Sequence, residues 1–154
     1  MKTYADANAL VRLYLQLHGR VEAINFVNCG DAGTAWPLLI PDLLRMEVTN
    51  AIHRMVFVSR TTGQCRVTPE AAMIGLTEFS EHLVTGVQLR RVSLTLPEIE
   101  REFDTLAARH TAREGFRTYD VIHVASALTL RCARFLSFDD KANRLAKLVG
   151  LETL

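Results

Sequence analysis

The stretch KTYADANALVRLYL, residues 2–15, decides the fold because a short strand runs directly into a helix within it. The strand is predicted over residues 2–5, and apolar residues then recur at helical spacing from Leu10 to Leu17. Asp6 stands at the junction of the two elements. Short apolar segments followed by a helix or a helix pair recur along the chain. This alternation predicts an α/β fold in which helices cover both faces of a parallel sheet.

The rest of the chain continues the alternation as one domain over residues 1–154, without repeats or linkers. Glycines 30 and 33 form a breaker cluster after the second helix, and prolines at 37, 41, 69 and 97 stand at or near the starts of elements. The further strands are predicted at 37–40, 87–92, 135–138 and 151–154. The further helices are predicted at 21–29, 41–62, 69–85, 96–114, 118–131 and 139–149.

Composition excludes several classes of protein. The chain has 154 residues, 49% of them apolar, so it can form a sizeable core. Lys and Arg number 18 against 17 Asp and Glu, which excludes a globally basic nucleic-acid-binding surface. Cys29, Cys65 and Cys132 are too few for a disulfide framework and predict free thiols in a reducing compartment. We find no secretory or membrane-spanning segment, and we expect a cytoplasmic protein.

Four acidic residues stand near the ends of predicted strands or early in the helices that follow. Asp6 follows the first strand, and Asp139 follows the strand at 135–138. Asp120 lies in the first turn of its helix, and Glu47 lies in a helix among apolar residues. Because ligands of open parallel sheets bind beyond the carboxyl ends of the strands, we expect the four carboxylates to share one crevice.

Each acid also has a purely structural interpretation. Asp6 could cap its helix, Asp120 and Asp139 could interact with helix dipoles, and Glu47 could be solvated. As a group, the carboxylates would raise one another's pKa unless a cation lay between them. Oxygen ligands suit Mg²⁺ or Mn²⁺, which can activate water and stabilise charge on a phosphoryl group. The sequence contains no HExxH, G-x-S-x-G, P-loop or G-x-G-x-x-G motif.

Four motifs in order carry a resemblance to a known family: YADANALV at 4–11, EVTNA at 47–51, YDVIHVASAL at 119–128 and FLSFD at 135–139. They resemble the PIN-domain ribonucleases, and most of all the VapC toxins of bacterial type II toxin–antitoxin pairs. The resemblance covers nearly the whole chain. It implies a three-layer α/β/α fold with a central, mainly parallel five-stranded sheet.

The resemblance also implies the residues of a ribonuclease site. Asp6, Glu47, Asp120 and Asp139 match the catalytic acids of the family, and Asp6, Asp120 and Asp139 would hold Mg²⁺ or Mn²⁺. The polar residues Asn8 and Ser137 match the usual neighbours. Because Asp139 and Asp140 are adjacent, we assign the metal to Asp139 and helix capping to Asp140. Arg12, Arg117 and Lys141 are the candidate phosphate contacts.

The expected partners are an RNA substrate, a cognate small antitoxin protein and a second copy of the chain. The first two helices carry more apolar residues than one buried stripe requires, which favours a homodimer. These residues are Leu13, Leu15, Leu17, Ile24 and Phe26.

Two other functions remain open at this stage. A phosphatase of the haloacid dehalogenase type also places an aspartate after a strand and uses Mg²⁺. It needs a second acid two residues later, where this chain has Asn8. A PIN-like RNA- or protein-binding module without catalysis is the other alternative.

Overall fold

Five short strands and eight helices alternate in the computed structural model, which describes residues 2–28 and 36–154. The strands are β1 (Thr3–Ala5), β2 (Leu38–Pro41), β3 (Leu89–Val92), β4 (Arg134–Leu136) and β5 (Glu152–Thr153). The helices are α1 (Ala7–Tyr14), α2 (Arg20–Asn28), α3 (Asp42–Thr62), α4 (Pro69–Thr85), α5 (Leu96–Leu106), α6 (Ala112–Glu114), α7 (Thr118–Thr129) and α8 (Asp140–Leu148). A π-helical segment, Ala107–Thr111, joins α5 to α6. The glycine cluster and Cys29 lie outside the described residues.

All strand pairings in the described chain are parallel, which confirms the α/β class. β1, β4 and β5 form one sheet in the order β1-β4-β5, and β2 pairs with β3 in a second. β1 also lies beside β2, but no hydrogen-bonded ladder joins them. The expected five-stranded sheet is therefore divided between β1 and β2. These strands have only three and four residues, and each forms its ladder with the strand on its other side, β4 or β3.

The central strands form the core of the molecule. Every residue of β1, β2 and β4 is buried, as expected for parallel strands covered on both faces. Helices α1, α3 and α4 pack against one another, and α7 packs against α5 and α8. The carboxyl ends of β1 and β4 lie side by side, because Ala5 pairs with Leu136. This register brings the residues after the two strands together.

Several predicted element boundaries differ from the structure by one or more residues. The first helix ends at Tyr14 because Gln16 and Gly19 adopt positive φ values of 52° and 91°. The helix predicted over 118–131 ends at Thr129, and Arg131 has a φ of 55°. The fourth strand ends at Leu136, two residues earlier than expected.

Most of the additional apolar residues of the first two helices pack against the core of the same chain. Leu13, Leu15 and Leu17 pack partly buried against the core, and Phe26 is 9% exposed. These four residues therefore do not supply the free surface on which the homodimer prediction was based, whereas Ile24 is half-buried. None of the described helices is long and apolar enough to cross a membrane.

Candidate functional site

Asp6 connects the end of β1 to the start of α1 and is only 5% exposed. Its Oδ1 accepts a hydrogen bond from the Ala9 backbone N–H at 2.8 Å, so Asp6 is the N-cap of α1. Its Oδ2 accepts a hydrogen bond from the Ser137 hydroxyl at 2.5 Å. The Asp6 N–H donates to the Leu136 carbonyl at 3.0 Å, which extends the pairing of β1 with β4. One oxygen thus caps the helix while the other faces the residues after β4.

Ser137 joins Asp6 to Asp139. Its buried hydroxyl oxygen also accepts the Asp139 backbone N–H at 2.9 Å. Asp139 is the N-cap of α8, because its Oδ1 accepts the backbone N–H groups of Lys141 at 2.9 Å and Ala142 at 3.2 Å. The assignment of capping to Asp140 is therefore wrong. Asp140 is already helical and is exposed, whereas the extended backbone of Asp139 suits a cap.

Arg117 joins Asp139 to Asp120. Its Nη2 donates to Asp120 Oδ1 at 3.0 Å and to Asp139 Oδ2 at 2.6 Å. Its Nε and its backbone N–H both donate to Asp120 Oδ2, at 3.1 Å and 2.9 Å. The Asp120 side chain is 7% exposed, whereas that of Arg117 is 63% exposed. Three of the four predicted acids are thus linked through Ser137 and Arg117.

Glu47 reaches the site from α3 through a contact with His123. Glu47 Oε2 lies 2.8 Å from His123 Nε2, and the other ring nitrogen lies 3.0 Å from the Tyr4 hydroxyl oxygen. The contact is close but not aligned as a hydrogen bond, so Oε2 is buried without a hydrogen-bond partner among the described residues. The charges of Glu47 and His123 both act on the carboxylate of Asp6. The fourth acid therefore adjoins the linked three.

The pKa values of two acids shift in opposite directions. Burial raises the pKa of Asp6, although the charge of His123 and the Ser137 and Ala9 donors oppose the rise. For Asp139, partial burial acts upward, but the Arg117 guanidinium and the N–H groups of Ala142 and Lys141 hold its pKa below the usual range. The mutual rise in pKa expected of carboxylates with no cation between them is therefore absent at Asp139, which is paired with Arg117. Arg117 supplies the missing counter-charge.

Three other predicted residues make contacts outside this linked group. Arg12 donates from Nε to Asn8 Oδ1 at 2.9 Å and from Nη1 to the His18 carbonyl at 2.6 Å, and its guanidinium lies 4.6 Å from the centre of the Phe138 ring. Lys141 Nζ donates to the Gly115 carbonyl at 3.0 Å, two residues before Arg117. The roles assigned to Asn8, Arg12 and Lys141 stay predictions.

The donor chemistry of the site fits a divalent cation. Carboxylate oxygens are ligands that Mg²⁺ and Mn²⁺ prefer, and a positive group already lies between Asp120 and Asp139. The orphaned Oε2 of Glu47 is a further buried acceptor. As the side chains lie, however, no three His, Cys, Asp or Glu residues within 2–28 and 36–154 are grouped to hold a metal. Arg117 occupies the position between two of the donors.

Sequence reasoning missed Arg117 as a partner of carboxylates and missed the Tyr4–His123 pair. Arg117 stands at the N-cap of α7, three residues before Asp120 in the first turn, and this spacing is a recognisable signal that could have linked the two side chains. The contact between Arg117 and Asp139 spans 22 positions and has no local signal. The contact between Tyr4 and His123 spans 119.

Comparison with known proteins identifies similarity of fold. No protein-family model and no curated protein matches the chain. Among solved structures, the chain is similar to one in the crystal structure of VapBC2 from Rickettsia felis bound to a DNA fragment from their promoter. The TM-score is 0.63 at 10% identity, and the match covers 100% of this chain and 98% of the other. The two chains therefore share a fold over their whole length.

Proposed function

We propose that this chain is a PIN-like, Mg²⁺- or Mn²⁺-dependent endoribonuclease and the toxin of a VapBC-type toxin–antitoxin pair. The observation that carries the proposal is the convergence of Asp6, Asp120 and Asp139, which come from three separate segments and are linked at the carboxyl ends of β1 and β4. The likeness of the whole chain to one in a VapBC2 structure supports it. So does the order of the four sequence motifs. The sheet divided between β1 and β2 is compatible with a PIN-like fold whose five strands lie side by side.

Asp6, Asp120 and Asp139 would hold the metal. When bound, Mg²⁺ or Mn²⁺ supplies a water of lowered pKa and stabilises negative charge on the phosphodiester. Asp6 offers its Oδ2, because its Oδ1 remains engaged in capping α1. Asp139 likewise offers Oδ2 while its Oδ1 caps α8. Two ligands are therefore positioned by the helices that they cap.

The remaining residues would orient the substrate and the water. Glu47 lies 2.8 Å from His123 and near Asp6, has a buried oxygen without a hydrogen-bond partner among the described residues, and would accept a proton from the attacking water. Arg117 and Lys141 lie at the exposed rim and would contact phosphate. Arg12 is already paired with Asn8 and the His18 carbonyl, so we propose that it contacts an RNA phosphate farther from the metal than Arg117 and Lys141 do.

The proposed partners are a small antitoxin protein and a second copy of the chain, in the cytoplasm. Support comes from apolar side chains that the monomer leaves exposed on α3 and α4. Phe57, Met73 and Ile74 are each about two-thirds exposed, and Val84 is 87% exposed. Large apolar side chains left exposed in this number favour association with another protein.

The phosphatase alternative receives no support from the position of Asn8. That side chain is exposed and accepts a hydrogen bond from Arg12, so it does not face the linked acids. An RNA- or protein-binding module without catalysis would have the same fold but would require no metal. The experiment below separates it from the enzyme.

The test compares an end-labelled RNA pool of random sequence with p-nitrophenyl phosphate, each with Mn²⁺ or with a chelator. We expect Mn²⁺-dependent cleavage of the RNA and no release of phosphate from the monoester. Asp120→Asn should slow cleavage at least about a hundredfold, since substitutions around metal ligands already cost about 10–100-fold. Asp104→Asn on the exposed surface of α5 is the matched control and should cleave as the wild type does. Intact RNA with every protein would contradict the ribonuclease proposal and favour the binding module.

A further inference from the structure

Arg117 engages every carboxylate oxygen of Asp120 and Asp139 that does not cap α8. Both oxygens of Asp120 receive its N–H groups, and so does Oδ2 of Asp139. The other Asp139 oxygen is held by the backbone of Lys141 and Ala142. The guanidinium thus occupies the oxygens that a metal bound to both acids would need.

The Arg117 side chain is exposed enough to move while its backbone stays in place. It is 63% exposed, whereas its backbone is fixed as the N-cap of α7 with an extended conformation (φ −81°, ψ 155°). The backbone N–H would keep its 2.9 Å hydrogen bond to Asp120 Oδ2 after the guanidinium rotates away. The buried residues of α7 that pack into the core, such as Val124, do not contribute to these contacts. Release therefore involves one exposed side chain.

We infer that Arg117 is an internal counter-cation that closes the metal-free site, competes with Mg²⁺ or Mn²⁺ for Asp120 and Asp139, and on displacement becomes free to contact RNA phosphate. This inference rests on the proposed metal site and deepens it. Because only the fraction of molecules with Arg117 released can bind metal through both acids, the apparent affinity for the metal is reduced by that fraction. The same contacts stabilise the metal-free protein, since they neutralise two neighbouring carboxylates.

Removal of the guanidinium should therefore have two opposite effects. Arg117→Gln should bind Mn²⁺ about tenfold more tightly than the wild type, as expected for a closed form that predominates by about ten to one. The same variant should melt at a lower temperature in chelator. Arg117→Lys keeps one charge but cannot bridge both acids in the same way, so its Mn²⁺ affinity should lie between the two. Arg113→Gln is the matched control, because that side chain is 87% exposed and contacts Glu114 instead.

Isothermal titration with Mn²⁺ and thermal melting in chelator test the two effects, and circular dichroism checks that each variant is folded. A separate measurement follows the release itself. The Nε–Hε signal of Arg117 in ¹⁵N-arginine-labelled protein, assigned by its loss in Arg117→Gln, should move to the position of a free arginine when Mg²⁺ saturates the site. Equal Mn²⁺ affinity in the wild type and both Arg117 variants, or an unmoved signal at saturation, would overturn the inference.

The same measurements distinguish failure of the inference from failure of the proposed function. Tighter Mn²⁺ binding by Arg117→Gln together with intact RNA would uphold the competition and reject the ribonuclease. Cleavage of RNA together with equal Mn²⁺ affinities of the wild type and Arg117→Gln would uphold the ribonuclease and reject the competition. If neither the wild type nor Arg117→Gln binds Mn²⁺, both the metal site and the competition are rejected.

Discussion

Ser137→Ala tests whether the hydroxyl that joins Asp6 to Asp139 holds the site together. The substitution removes one oxygen from a side chain that is 1% exposed and leaves the backbone unchanged. It deprives Asp6 Oδ2 of its donor and the Asp139 N–H of its acceptor. A hydrogen bond to a charged group contributes about 1.5–3 kcal/mol, and a neutral one about 1 kcal/mol. We expect the free energy of unfolding to fall by about 2–4 kcal/mol in chelator at neutral pH.

The loss should depend on pH through Asp6. Its folded pKa is raised by burial, so the stability associated with its proton is present below the unfolded pKa and is lost as pH rises through the folded pKa. Ser137 moderates that loss, because its hydroxyl favours the charged form of Asp6. The difference between wild type and variant should therefore be largest at neutral pH. It should shrink as pH falls toward 5, where a larger share of Asp6 is protonated.

Urea unfolding in chelator at pH 7.5 and pH 5 measures both effects. Asp139 does not interfere in this range, because its pKa is lowered and its contribution is lost only at more acidic pH. Ser126→Ala is the matched control. Ser126 is also buried, but its hydroxyl donates to the Ile122 carbonyl within its own helix at 2.7 Å. A loss for Ser137→Ala no greater than for Ser126→Ala, or one that does not vary with pH, would refute the reasoning.

Three further predictions concern other parts of the molecule. Mn²⁺ at about a hundred times its Kd should stabilise the wild type by about 2.7 kcal/mol, which raises its Tm by about 5–10 °C, whereas the Tm of Asp6→Asn should rise by less than about 2 °C. Equal Tm shifts of the two proteins in thermal melts would exclude Asp6 from the metal site. His123→Leu should weaken Mn²⁺ binding about three- to tenfold, because it removes the imidazole that lies 2.8 Å from Glu47 and keeps that charge near Asp6. His123→Gln keeps a polar side chain at this position and should weaken binding less; titration calorimetry that finds the two variants alike would contradict this. Burial raises the pKa of the Cys132 thiol to about 11, so iodoacetamide at pH 8 should modify Cys65 well before Cys132. Mass spectrometry measures the two rates of modification, and equal rates would show that Cys132 is not protected.

Much of the fold was predictable because its elements have strong local signals. The helix over Pro69–Thr85 begins with the cap of Thr68 and ends at Gly86, which adopts a positive φ of 70°. Both signals are visible in the sequence and are explained by local backbone chemistry. The division of the sheet between β1 and β2 has no such signal, because it depends on how two short strands meet in space.

The candidate site was predictable only as a set of positions. The rule that ligands bind at the carboxyl ends of parallel strands indicated Asp6 and Asp139, and the register of β1 on β4 brings them together. Their orientation was not predictable, since it depends on contacts between residues far apart in the chain. Asn8 illustrates the difference: helical spacing pairs it with Arg12 four residues later, and this contact turns it to the exposed surface.

Asp6 and Asp139 each cap a helix and are also proposed metal ligands, and this combination affects the choice of variant for an inactive form of the protein. One oxygen of each carboxylate accepts hydrogen bonds from the first turn of a helix, so an alanine at either position would also remove the N-cap of α1 or α8. A loss of activity in such a variant would be indistinguishable from local unwinding. Asparagine retains an oxygen for the helix and replaces the other with an amide NH₂ group, so it removes the negative charge while the side chain keeps its size. If the proposed ribonuclease activity is present, expression of an inactive form and capture of uncleaved RNA should therefore begin from the asparagine variants.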